Sequence, residues 1–248
     1  MKPIIQVRDL GIRFHRNRRR NMSLREIFLK GKSTTPKGDF WAVRNVNFDV
    51  RAGEAVGLIG ANGQGKSTLL KLVAGVLLPD EGNVFVRGKV APLIELTGGF
   101  VGELTARQNI HLVGGVHGLS KEEIEERFDE VVEFAEIGDF LDTPFRHFSS
   151  GMKVRLGFSL MTTLDAPTVL VDEVLAVGDK AFREKCYVRM EEMLGAGKTF
   201  FLVSHSERDL KRFCERGLYM RRGNLVSDGP LEDVIKQYNE DSESGKAR

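Results

Sequence analysis

The sequence predicts an α/β fold with an antiparallel β subdomain at one end and a helical insertion in the middle. Three observations carry this reading. The apolar runs at 55–59, 169–171 and 199–203 are short and uninterrupted, as strands buried on both faces are. The stretches 103–113, 121–136 and 153–164 place apolar residues at 3.6-type spacing, which predicts helices. Residues 4–14 and 40–50 alternate apolar and polar side chains in the manner of antiparallel strands.

Taken in chain order, the strands at 4–14 and 40–50 make a hairpin interrupted by a basic segment at 16–38. The strand at 55–59 leads into a glycine-rich loop and then a helical stretch at 67–76, and 84–86 and 91–96 read as two further short strands. Within the helical region, Ser120 stands before Lys-Glu-Glu-Ile and is expected to cap the helix that follows. Strands return at 169–171 and 199–203, and 218–226 reads as a closing hairpin about Gly223-Asn224. The expected organisation is one domain over 1–238, with a helical subdomain at about 97–165 and a polar, disordered tail at 239–248.

The chain has 248 residues, 41% of them hydrophobic and 29% charged, which suits a core-forming domain and argues against a disordered chain. No run reaches the ~18–20 apolar residues of a membrane span, and Arg8 and Asp9 interrupt the start before a secretory core could form. Cys186 and Cys214 stand far apart, outside any C-x-x-C pattern, and read as reduced thiols rather than a disulfide or metal site. His111, His117 and His147 show no ligand spacing. The net charge of +2 conceals an uneven distribution: 16–38 carries eight Arg and Lys against one acid.

Residues 60–67 read Gly60, Ala61, Asn62, Gly63, Gln64, Gly65, Lys66 and Ser67, with Thr68 next. This is the G-x-x-x-x-G-K-[ST] loop, set between a strand and a helix as its mechanism requires. Glycines let the backbone wrap a triphosphate at a helix N-terminus, where N–H groups and partial positive charge favour an anion. Lys66 is expected to reach the outer phosphates and Ser67 to hold Mg²⁺, so the chain is expected to bind ATP at one site. Asp172 and Glu173 end the buried run at 169–171. An acid there organises Mg²⁺, which falls to Asp172, and the next one orients the attacking water, which falls to Glu173. Taken alone, such a pair is also what solvates an ordinary strand end. Phe148-Ser149-Ser150-Gly151-Met152 opens a helix 21 residues before Asp172, counted from Gly151, and offers a hydroxyl and a helix N-terminus to phosphate. His205, just past the strand at 199–203, is placed to donate to the outer phosphate.

These residues, in this order over roughly 4–230, resemble the ATP-binding cassette family. The resemblance implies a P-loop NTPase fold with a RecA-like core, and a homodimer that sandwiches two ATP molecules head to tail. Ser149, Ser150, Gly151 and Met152 of one copy then meet the nucleotide held by the other copy's Lys66, with Asp179 at the seam. It further implies that an aromatic side chain near the first strands stacks on adenine; Phe14, His15 and Trp41 are candidates, and Phe14 is favoured. Two departures stand out: the signature reads Ser-Ser-Gly-Met, and Glu95 occupies the place of the usual Mg²⁺-contacting glutamine.

Phe-Ser-Ser-Gly-Met-Lys-Val-Arg, Leu-Ile-Glu-Leu-Thr-Gly-Gly-Phe and Asp-Glu-Val-Leu-Ala-Val-Gly-Asp are similar to the subgroup that exports lipid-linked polysaccharides, such as O-antigens, capsules, teichoic acids and galactans. The basic segment is similar to one that subgroup carries. Within it Leu24, Ile27 and Phe28 share a helix face behind Ser23, and Arg16, Arg18, Arg19 and Arg20 flank it. It is expected to meet anionic lipid or a lipid-pyrophosphate glycan, or else to be a solvated loop packed on the chain's own surface. The implied partner is an integral membrane permease, reached through the region near 95–105 at the cytoplasmic face of the membrane. Some members append a carbohydrate-binding domain; here about 18 residues follow Pro230, so substrate choice is expected to rest mainly with the permease or the lipid pyrophosphate. The alternative is a soluble cassette ATPase acting on nucleic acid or ribosomes. It is disfavoured for want of a second cassette or a coiled-coil insertion, and no nucleic-acid partner is expected.

Overall fold

A computed structural model describes residues 2–15, 39–94, 96–172 and 179–245. β1 (Ile5–His15) pairs antiparallel with β2 (Asp39–Val50), from Ile5 opposite Val50 to His15 opposite Asp39. Its other edge takes β4 (Glu81–Val86), giving a three-stranded sheet in the order β2-β1-β4. A second sheet has the order β5-β6-β7-β3-β8-β9, built from β3 (Ala55–Ile59), β5 (Val90–Leu93), β6 (Thr168–Val171), β7 (Thr199–Val203), β8 (Arg216–Arg221) and β9 (Asn224–Pro230). All its pairs are parallel except the β8–β9 hairpin.

The parallel strands are covered on both faces, and their residues divide between two cores by strict alternation. Val56, Leu58, Leu170, Phe201, Val203, Leu218 and Met220 face the three-stranded sheet and α1 (Lys66–Val73). Val169, Val171, Phe200, Leu202 and Tyr219 face the other helices. Phe48 of β2 stacks on Phe201 of β7, with centroids 5.5 Å apart and planes 3° from parallel. This double burial is why the strands read as unbroken apolar runs.

Between β5 and β6 lie α2 (Ala106–Val116), α3 (Lys121–Ala135) and α4 (Ser150–Thr162). Ser120 caps α3 through a capping box with Glu123, as its sequence predicts. α2 begins three residues later than its periodicity suggests, because Thr105 and Gln108 form a second capping box. α4 begins three residues earlier than expected, where the Ser149 hydroxyl accepts the Met152 N–H at 3.2 Å. The strand expected at 91–96 ends at Leu93.

Three helices stand outside the elements expected from the sequence: α5 (Lys180–Gly195), α6 (Glu207–Phe213) and α7 (Leu231–Glu243). On α5 the apolar residues do not all share one face, and its charges find distant partners, such as Arg189 with Glu130 at 2.7 Å and Glu191 with Arg212 at 2.7 Å. The disordered tail expected from Asn239 is corrected: α7 continues through Glu243. Long-range polar bonds hold it, from Asn239 to Glu207 and from Arg221 to Asp241, and these leave no mark in local composition.

Candidate functional site

The sheet register brings three expected site segments to one edge. Leu58 lies opposite Val203, Val171 opposite Leu202, and Leu93 opposite Val171, so the carboxyl ends of β3, β7 and β6 are level within a residue. The phosphate loop leaves β3, Ser204-His205 leaves the neighbouring β7, and Asp172 leaves β6 beyond it. With strands about 4.8 Å apart, Asp172 and Gly60 start roughly 10 Å from each other. Ligands of open α/β sheets bind at this carboxyl edge.

The loop itself is shaped for an anion. Gly65 precedes α1 at φ 98°, with no side-chain cap on the helix. A β-carbon there would lie 2.1 Å from the carbonyl oxygen of Ala42, so only glycine lets β2 approach this closely. No acid occupies the first turn of α1, which leaves its positive end uncompensated. Lys66 is 5% exposed and donates to the carbonyls of Gly60 at 2.8 Å and Ala61 at 3.0 Å, so its charge is held over the loop. The crest is tied down: the Gln64 carboxamide oxygen accepts the Arg222 N–H, and the Gln64 carbonyl accepts the Gly223 N–H at 3.2 Å.

Beside the loop opens a cleft of about 500 Å³, lined by Asn62, Gly63, Gly65, Lys66, Ser67 and Thr68 together with Phe14, Phe40 and Ala42. Phe14 and Phe40 are register partners on β1 and β2, 37% and 46% exposed, with ring centroids 6.1 Å apart. Trp41, one residue on, points to the opposite sheet face, between Arg13 and Arg44 at 5.8 and 5.1 Å. Phe40 is the aromatic that sequence reasoning missed. Only the cross-strand pairing with Phe14 singles it out.

At the neighbouring strand ends, the Asp172 N–H donates to the Leu93 carbonyl at 3.3 Å, and His205 is exposed between two serines. The Ser206 N–H donates to the Ser204 hydroxyl at 3.0 Å, fixing the turn on which His205 sits. Ser67 and Asp172 supply hard oxygen donors, which fits Mg²⁺; that ion takes one or two protein oxygens, substrate phosphates and water.

Ser149, Ser150, Gly151 and Met152 are not among the cleft's lining residues. They form the N-terminus of α4, again without an acid in the first turn. α4 lies close to the segment after β5, since a β-carbon on Gly157 would sit 2.0 Å from the Leu96 carbonyl oxygen. Its Arg155 pairs with Glu136, at the end of α3, and with Asp179, the cap of α5. The Phe182 N–H first, and then Arg155, hold the Asp179 carboxyl below the usual carboxylate range. Lys185 first, and Arg155 as well, do the same for Glu136. Burial pushes both free cysteine thiols, Cys186 and Cys214, up to about 12. Glu173, Glu95, residues 174–178, and the basic segment with Arg16, Arg18, Arg19, Arg20, Ser23, Leu24, Ile27 and Phe28 lie outside the described residues.

Residues 43–176 match the family model described as ABC transporter. The chain is 43% identical over 201 residues to the O-antigen export system ATP-binding protein RfbB of Klebsiella pneumoniae, covering 81% of this chain and 82% of that one. It is 39% identical over 218 residues to the teichoic acids export ATP-binding protein TagH of Bacillus anthracis, covering 88% of this chain but 39% of that longer one. Among solved structures, the dimeric ATP-binding cassette MJ0796 bound to ADP and phosphate superposes with a TM-score of 0.73 at 21% identity, over 92% of this chain and 98% of that one.

Proposed function

Because the chain belongs to the ABC transporter family, we propose that it is the ATP-hydrolysing subunit of an exporter for a lipid-linked polysaccharide. ATP hydrolysis is the activity of the family. Export of a glycan on a lipid carrier is the reading supported by the relatives that act on O-antigen and teichoic acid. The observation that carries the catalytic assignment is the shared carboxyl edge of β3, β7 and β6, which gathers Lys66, His205 and Asp172.

In this reading the loop N–H groups and Lys66 bind the phosphates, and Phe14 with Phe40 stack on adenine across the 500 Å³ cleft. Ser67 and Asp172 would hold Mg²⁺, with Glu95 as a further oxygen donor, and when bound the ion would supply positive charge beside the phosphoryl group. Glu173 accepts the proton of the attacking water, and His205 donates to the outer phosphate oxygen. Ser149, Ser150, Gly151 and Met152 bind the triphosphate of a second copy, which explains why they form a helix N-terminus apart from this chain's own cleft.

Among the described residues no helix is long and apolar enough to cross a membrane, so the reading requires a permease and a place at the cytoplasmic membrane face. A hollow of about 220 Å³ between α1, β5 and α2, lined by Lys71, Val76, Pro92, Ile94, Val116 and His117 among others, has room for a side chain of that partner. Val76 and Val116 are 65% and 70% exposed beside it. The segment at 16–38 is the proposed contact with anionic lipid or the lipid-pyrophosphate glycan.

Two experiments test this. Glu173→Gln is expected to lower turnover by roughly a hundredfold or more while the chain forms dimers in MgATP by light scattering. A monomer at high concentration would overturn the sandwich. Loss of the gene is expected to trap glycan inside the cell, with no rescue by Lys66→Ala. Unchanged surface polysaccharide overturns the export reading and leaves the ATPase intact.

A further inference from the structure

We propose that the carboxyl end of α7 is a strap that positions two catalytic loops at once, with Asn239 acting on the His205 turn and Asp241 on the crest of the phosphate loop. The proposal rests on the ATP-hydrolysis reading of that edge and deepens it. α7 is anchored by its amino half, where Leu231, Val234 and Ile235 are buried and the Leu231 N–H donates to the Glu215 carbonyl at 2.9 Å. Its carboxyl half adds Tyr238 to that core as a partly buried ring. The polar bonds it makes to other elements run to segments that end in the two loops.

The first path is short. The Asn239 carboxamide donates to a Glu207 carboxylate oxygen at 2.9 Å. Glu207 is the first residue of α6, two positions after His205. Between them, Ser206 caps α6 by accepting the Asp209 N–H at 3.2 Å and gives its own N–H to Ser204. From the other side Tyr187 of α5 donates its hydroxyl to Asp209 at 2.8 Å. The start of α6 is therefore held between α5 and α7, and His205 rides on it.

The second path runs through the β8–β9 hairpin. Asp241 accepts from the Arg221 guanidinium at 2.6 Å and from the Tyr219 hydroxyl at 3.3 Å. Tyr219 is fully buried and meets the edge of Tyr238, centroids 5.5 Å apart. Arg221 adjoins the turn of Arg222 and Gly223, both at positive φ, whose N–H groups bind Gln64. The same turn accepts the Arg44 N–H of β2 at the Gly223 carbonyl, 2.8 Å away. Fixing Arg221 from α7 thus fixes the platform under the phosphate-loop crest.

The two paths reach different parts of the chemistry, so they separate in kinetics. With the purified full chain, Asn239→Ala is expected to lower kcat about tenfold with KM for MgATP unchanged, the cost of misaiming a positioned group. Asp241→Ala is expected to raise KM and the Kd for ADP about tenfold with kcat near that of the natural chain. Asn239→Asp sets a carboxylate against Glu207 and is expected to be worse than alanine. Adding Glu207→Gln to it restores one donor and one acceptor with roles exchanged, and kcat returns. Wild-type kinetics in both single variants, or kcat and KM drifting together with melting temperature and no rescue by the exchange, overturns the strap. Loss of turnover in His205→Ala beside an unaffected Asn239→Ala removes the first path and leaves the assignment of His205 standing. Full turnover in His205→Ala removes the assignment of His205, and the first path with it.

Discussion

α1 and α4 both open with N-termini that carry no acid in the first turn, yet they are finished differently. α1 is entered through Gly65 in the left-handed region and has no side-chain cap, so its first N–H groups face the cleft with Lys66 behind them. α4 is already capped by the Ser149 hydroxyl and stands apart from that cleft. By contrast, α2 and α3 close their own N-termini with full capping boxes, and on α2 the Ala106 and Arg107 N–H groups also donate to the Thr143 and Leu141 carbonyls. The difference teaches that one chain holds a complete cradle and, elsewhere, a half-satisfied helix end. On the proposed function, a cradle of the first kind is expected to bind nucleotide unaided, and the second to contribute only when another surface brings the phosphate to it.

Three changes break or sharpen that contrast. The largest is Gly65→Ala, which places a β-carbon on the Ala42 carbonyl at φ 98°. Nucleotide affinity of the single chain is expected to fall roughly a hundredfold, the equivalent of about 3 kcal/mol of backbone strain; calorimetric titration with ADP measures it, and unaltered affinity would mean that the cradle is not preformed. Ser149→Ala comes next. Loss of one cap costs about 1 kcal/mol, or about 2–4 °C of melting temperature in a chain of this size. Turnover is expected to drop several-fold while the affinity of the isolated chain holds. An equal loss of affinity would mean that α4 meets the chain's own nucleotide.

The smallest effect concerns pH. Asp179 and Glu136, which flank Arg155 of α4, have lowered folded values. Their stabilisation is therefore complete above the ordinary carboxylate range and is lost as pH falls through those lowered values. The melting-temperature difference between the natural chain and Asp179→Asn is expected to be constant near neutrality and to shrink in acid. A difference that persists into acid would show that α4 does not depend on this ionic tie.

Much of this was legible in the sequence. The loop at 60–67 is a local motif whose glycines, lysine and flanking strand and helix are contiguous, so its geometry follows from its own residues. Ser149 and Ser120 announce helix starts for the same reason. The aromatic wall of the cleft was only half legible. Phe14 lines it, but Phe40 joins it through a strand register that spans 26 positions, and Trp41, a candidate, faces away. The end of α7 was misread because Asn239 and Asp241 are stabilised by partners 32 and 20 positions distant, not by neighbours.

What the sequence by itself determined is the chemistry on offer: a phosphate-binding turn, an acid after one buried strand, a histidine after another, and a serine-capped helix. Each is written in a few adjacent residues because propensity, capping and glycine conformations are short-range. Only the tertiary structure decided which of these meet. The order β6-β7-β3 brings Asp172, His205 and the phosphate loop to one edge although the loop lies more than a hundred positions before Asp172, and Asp172 lies 33 before His205. Strand order and helix docking are set by the burial of two apolar faces and by polar bonds between distant segments, and that energy belongs to no single stretch of chain.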